Sequence, residues 1–85
     1  MVLGVLQIPG PEIRIGLITS RRVGKAVERN KARRRFREIV RQTIPRMIPG
    51  LWIVLVARRS TVSAEFKTLE REWLSLAGRA SILKD

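Results

Sequence analysis

The sequence predicts a small α+β domain, a two-layer α/β sandwich with its elements in the order β-β-α-β-α. Three observations predict it: three short apolar runs rich in β-branched residues, two longer stretches with helical periodicity, and Pro/Gly breakers at the joins. A chain of 85 residues has room for one domain, residues 1–85, built on one core.

The first run is Val2–Ile8. The turn signal Pro9-Gly10-Pro11 follows it, and Ile13–Ser20 comes next, so these two strands are expected to pair as an antiparallel hairpin. A helix is expected from about Lys25 to Ile44, where Ala32, Phe36, Ile39, Val40 and Thr43 recur at the spacing of one buried stripe. Pro49-Gly50 ends that segment. The third run, Leu51–Ala57, is continuously apolar and suits a strand buried on both faces. Separated by one helix, the strands at Ile13 and Leu51 can lie parallel as a β-α-β crossover. The last helix is expected to start near Ser63 as N-cap, with Glu65 in its first turn. Phe66, Leu69, Trp73, Leu76, Ala77 and Ala80 give it an apolar face. Trp52 and Trp73 are both read as packing between the sheet and this helix.

Composition excludes several classes of function. The chain has no cysteine and no histidine, which removes disulfides, Cys/His zinc sites and imidazole acid–base catalysis. No window of about 18 apolar residues exists to span a membrane. Met1–Ile8 is apolar but lacks a basic leader and a small-residue cleavage site, so no signal peptide is read and a cytoplasmic protein is expected. Seven acids, mostly beside arginines on helices, offer no evident carboxylate cluster for a metal-dependent nuclease.

The charge is concentrated. Eighteen Lys/Arg against seven Asp/Glu leave a net +11. Eleven of the basic residues and only two acids, Glu28 and Glu38, lie between Arg21 and Arg46. Such a segment predicts a polyanionic partner. On a helical wheel, Lys31, Arg35, Glu28, Glu38 and Gln42 form one mixed, solvated flank. The other flank gathers Asn30, Arg33, Arg34, Arg37 and Arg41 with no carboxylate. Arg33–Arg37 and Arg37–Arg41 are like-charge pairs at i, i+4, each costing about 0.2–0.5 kcal/mol in an isolated helix. A face built only for solubility would interleave acids; this one suits phosphates, which guanidinium forks bind with charge-assisted hydrogen bonds. Ahead of it, Ser20-Arg21-Arg22-Val23-Gly24-Lys25 joins a strand end to a helix start, where free N–H groups favour an anion. Charge alone leaves RNA, DNA and anionic lipid open. Against lipid, the apolar stripe is needed to cover the sheet and no aromatic belt flanks it.

The stretch from Arg14-Ile15-Gly16 through Ser20-Arg21-Arg22-Val23-Gly24-Lys25-Ala26-Val27 to Arg29-Asn30-Lys31-Ala32-Arg33-Arg34 and Arg37-Glu38 resembles the signature of the bacterial ribonuclease P protein family. That family's pattern is an R-x-G strand, then S-K-K-V-G-x-A-V, then R-N-R-x-K-R-x-x-R-E. Arg/Lys exchanges at Arg21, Arg22, Lys31 and Arg33 keep the charge, and the order of elements downstream also agrees. The resemblance implies a catalytic RNA subunit as partner and precursor tRNA as substrate. Magnesium would be held mainly by RNA, and no catalytic residue is expected in the protein. It also implies a left-handed β-α-β crossover, against the usual rule. Arg29, Asn30, Arg34 and Arg37 match the family's RNA-contacting helix positions. With the surrounding basic residues, the candidate RNA-binding set is Arg21, Arg22, Lys25, Arg29, Asn30, Lys31, Arg33, Arg34, Arg37 and Arg41. Arg29 departs from the acid-free flank and leans toward the apolar stripe. Family members usually carry a basic N-terminal segment and a helix before the first strand. This sequence starts at about that strand, which leaves three readings open: a fragment, a misassigned start, or a natural short form without that helix and its leader-binding aromatics. The alternative reading is a ribosomal or other structural RNA-binding protein of similar fold. A DNA-binding or membrane-surface module comes third; neither DNA nor membrane is expected as a partner.

Overall fold

The computed structural model describes residues 1–20, 22 and 24–84. Three strands, β1 (Val2–Gln7), β2 (Ile13–Ile18) and β3 (Leu51–Val56), form one sheet in the order β1-β3-β2. Between β2 and β3 the chain forms α1 (Ala26–Thr43); after β3 come a short helix α2 (Arg59–Ser63) and then α3 (Phe66–Arg79). β2 and β3 pair in parallel, with Ile13 opposite Leu51 and Ile18 opposite Val56, so β2-α1-β3 is the expected crossover.

The expected hairpin does not form. β1 pairs antiparallel with β3, from Val2 opposite Val56 to Gln7 opposite Leu51, and β3 therefore lies between β1 and β2. The Pro9-Gly10-Pro11 connection arches over the start of β3: the Ile8 N–H donates to the Gly50 carbonyl at 2.9 Å, and the Leu51 N–H to the Glu12 carbonyl at 3.1 Å. Skipping one strand requires bridging roughly 10 Å, two strand spacings, which five residues span easily. Two prolines in that connection also lack the N–H groups of a tight hairpin ladder. Gly50 is fixed in this crossing, with φ 72° and no room for a Cβ, which would stand 2.8 Å from the carbonyl oxygens of Ile8 and Gly10.

The central strand is buried on one face only. Leu51, Ile53 and Leu55 point into the core, whereas Trp52 and Val56 on the other face are exposed and Val54 is half-buried. The core is formed by Phe36, Ile39 and Val40 from α1, Leu69, Trp73 and Ala77 from α3, and the inner residues of β3. Both long helices thus cover the same side. The unbroken apolar run of β3 had suggested cover on two faces; its outer face is instead open, and Trp52 does not join the core. Trp73 does: it is fully buried, and its indole N–H donates to the Thr43 hydroxyl at 3.0 Å, which in turn donates to the Ile39 carbonyl.

The last helix begins later than the sequence suggested. Thr61 accepts the Arg58 backbone N–H on its hydroxyl at 3.0 Å and closes a separate turn, α2. Ala64 is extended, and Glu65, not Ser63, is the N-cap of α3. Beyond α3, Ile82 and Leu83 fold back beside Met47 and Ile48, sealing the base of the core.

Candidate nucleic-acid interface

α1 is positioned by its stripe. Ala32, Phe36, Ile39, Val40 and Thr43 are its buried residues, the set that the periodicity gives. Fixing that stripe on the sheet fixes where every other side chain of the helix points. Asn30, Arg34, Arg37 and Arg41 are exposed and Arg33 is half-buried. Asn30, Arg33, Arg34 and Arg37, with the highly exposed Val27, line one open hollow of about 490 Å³. Arg41 stands one turn further along the same arc, outside that hollow. Lys31 is exposed on the opposite flank.

A second hollow, of about 550 Å³, opens at the N-terminal end of α1. It brings together Arg22, Gly24, Lys25, Glu28 and Arg29 with Arg59 of α2. Arg29 is half-buried, as its place near the apolar stripe implies, but no strand residue lines its hollow. Gly24 has φ 157°, and a Cβ there would stand 3.1 Å from the Glu28 carboxylate and 3.4 Å from Val62, so the turn packs closely on the helix. Arg21 lies outside the described residues.

Among the described residues the ion pairs are Met1–Glu72 and Arg14–Glu12, and none involves α1. One side chain of the mixed flank departs from its expected solvated role: Arg35 is half-buried and donates to the Ala64 carbonyl at 2.7 Å. It ties α1 to the end of α2, and thereby helps place Arg59. Glu38 and Gln42 do behave as exposed neighbours, 3.3 Å apart.

Two candidates escaped the sequence reading. Arg59 follows β3 in the pair Arg58-Arg59, a signal overshadowed by the larger basic cluster. It meets the N-terminal end of α1 in space and donates to the Arg22 carbonyl at 3.2 Å. Trp52 is 43% exposed on the outer sheet face, with Leu6 and Arg14 opposite it on the flanking strands. With Gly4, Leu6 and Val54 it lines a shallow apolar groove of about 310 Å³. An exposed aromatic beside an arginine is the usual make-up of a stacking platform for single-stranded nucleic acid. Among the described residues no three acidic side chains gather as a metal site, and no helix is long and apolar enough to cross a membrane.

Comparison with known proteins gives the family. The ribonuclease P family model matches residues 1–81. The ribonuclease P protein component of Symbiobacterium thermophilum is 40% identical over 78 residues, covering 92% of this chain and 68% of that protein. That of Chloroflexus aggregans is 40% identical over 72 residues, covering 84% of this chain and 53% of its own length. The chain thus spans between about half and two thirds of these relatives. The RNase P protein of Thermotoga maritima, solved in complex with 1-(4-fluorophenyl)-2-thiourea, has a TM-score of 0.82 at 28% identity, covering 91% of this chain and 76% of that one. The Staphylococcus aureus RNase P protein has a TM-score of 0.80 at 20% identity, covering 96% and 77%, a likeness of fold alone. A family model matched over nearly the whole chain, together with relatives 40% identical, settles the assignment: the chain belongs to the ribonuclease P protein family.

Proposed function

We propose that this chain acts as the accessory protein subunit of ribonuclease P, binding the catalytic RNA and assisting removal of the 5′ leader from precursor tRNA. The observation that carries this reading is the acid-free arc of α1: Asn30, Arg33, Arg34 and Arg37 share one open hollow, and no carboxylate neutralises them among the described residues. Arg22, Lys25, Arg29 and Arg59 extend the cationic surface past the helix start. Guanidinium groups free of internal partners retain their donors for phosphate oxygens. The outer sheet face supports a role toward single-stranded leader, since Trp52 offers a ring to stack on and Arg14 a nearby charge.

The protein's part is binding and positioning. The magnesium ions of the cleavage reaction would be held mainly by the RNA. Screening of phosphate repulsion by the arc would let that RNA fold and hold substrate with less magnesium. The test is reconstitution with ribonuclease P RNA, scoring cleavage of precursor tRNA at low magnesium. Stimulation supports the proposal. No stimulation, with tight binding to ribosomal RNA instead, would favour a structural RNA-binding role.

A further inference from the structure

We propose that a slot between α1 and the free edge of β2 seats one unpaired, single-ring base of a bound RNA. The proposal rests on the RNA-binding reading above and adds a base-recognising site to it. The slot is small, about 110 Å³, and more enclosed than the two basic hollows. Ile15 and Leu17 of β2, Phe36 of α1 and Leu55 of β3 give it apolar walls, and Arg33 and Arg37 complete the lining. Its volume gives room for one base ring, and a fused pair would protrude further toward solvent.

Three features make it a seat and not merely a packing defect. First, Ile15 shares the inner face of the sheet with Ile53, yet 38% of it remains exposed, so the helix layer stops short of β2. Second, Arg33 and Arg37 line both the slot and the acid-free hollow. A strand whose phosphates follow the arc therefore passes the slot, where an arginine can also lie against the plane of a base. Third, the slot has hydrogen-bonding groups at its side. The Glu12 and Ile18 carbonyls accept from Leu51 and Ala57 of the β3 segment. By the alternation of a parallel strand, the N–H and C=O groups of Ile15 and Leu17 point off the opposite, free edge of the sheet. Apolar walls, a cationic rim and exposed backbone donors and acceptors match the face, phosphate and edge of a nucleotide.

The test uses methyl and guanidinium NMR on the whole chain with three probes: uridine 5′-monophosphate, adenosine 5′-monophosphate and ribose 5-phosphate. Uridine 5′-monophosphate should move the Ile15 and Leu17 methyl resonances, the adenosine nucleotide should move them less, and ribose 5-phosphate should move only the arginine signals. With Trp52→Ala as background, so that no base stacks on the outer sheet face, a short oligouridylate should bind about tenfold more tightly than an abasic strand of equal length, the effect of one seated base. The variant Ile15→Phe, which fills the slot, should bring that ratio toward one. Unmoved methyls with equal binding of the two strands would overturn the seat while leaving phosphate binding intact. Failure of both strands to bind would overturn the RNA-binding reading as well.

Discussion

Arg34 and Arg35 are adjacent, carry the same charge, and have different jobs. Arg34 is exposed in the acid-free hollow, whereas Arg35 is half-buried and holds the Ala64 carbonyl. Arg34→Ala should weaken RNA binding roughly tenfold or more, because a charge-assisted bond to phosphate is worth about 1.5–3 kcal/mol. A fair charge control is Arg71→Ala on α3, exposed and outside the arc; screening should hold its effect to a small fraction of that. Equal losses in a filter-binding or anisotropy titration at one salt concentration would reduce the interface to diffuse charge. Arg35→Ala should instead lower stability, by about 1 kcal/mol for one partly solvated hydrogen bond, read as a lower midpoint in urea. The sequence told these two apart only by wheel angle. It placed Arg35 among solvated charges, because a bond across 29 residues leaves no trace in local spacing.

At the scale of elements, the two tryptophans illustrate what periodicity can and cannot fix. Trp73 lies in a helical stripe whose one face is buried, and the structure keeps it in the core with its indole on Thr43. Trp73→Phe removes that bond and part of a packed ring, and should cost about 2 kcal/mol, roughly 8–16 °C in Tm for a domain of this size. Trp52 lies in a strand, where neighbouring residues face opposite ways and an apolar run does not tell which faces are covered. That question is settled by where the helices go, and both long helices lie on one side. Addition of single-stranded RNA should therefore quench fluorescence in the Trp73→Phe variant and leave it unquenched in Trp52→Phe. Strand order was hidden for a similar reason: the turn signal at Pro9-Gly10-Pro11 marks a reversal but not which strand lies beside which. The C-terminal end of α3 allows a gain. Ser81 has φ 57° in a cap where its N–H donates to Gly78 and that of Ile82 to Ala77. Ser81→Gly should stabilise the fold by about 1 kcal/mol, seen as a higher Tm, since glycine adopts this angle without steric cost.

For the whole molecule, the charge asymmetry that was plain in the sequence becomes a geometric one. Along α1 the arc from Asn30 to Arg41 runs about 17 Å in a molecule 36 Å long, so it can follow a phosphate backbone over nearly half of that length. One face carries the arginines of the arc, and the open side of the sheet carries Trp52 and Leu6. The central claim is that the arc binds RNA directly, and it is tested most directly by the salt dependence of binding to ribonuclease P RNA. With about five phosphates contacted, log Kd plotted against log salt should have a slope of roughly 3.5 to 4.5, and Arg34→Ala should lower it by about one. A slope near zero, or one that Arg34→Ala leaves unchanged, would contradict the account.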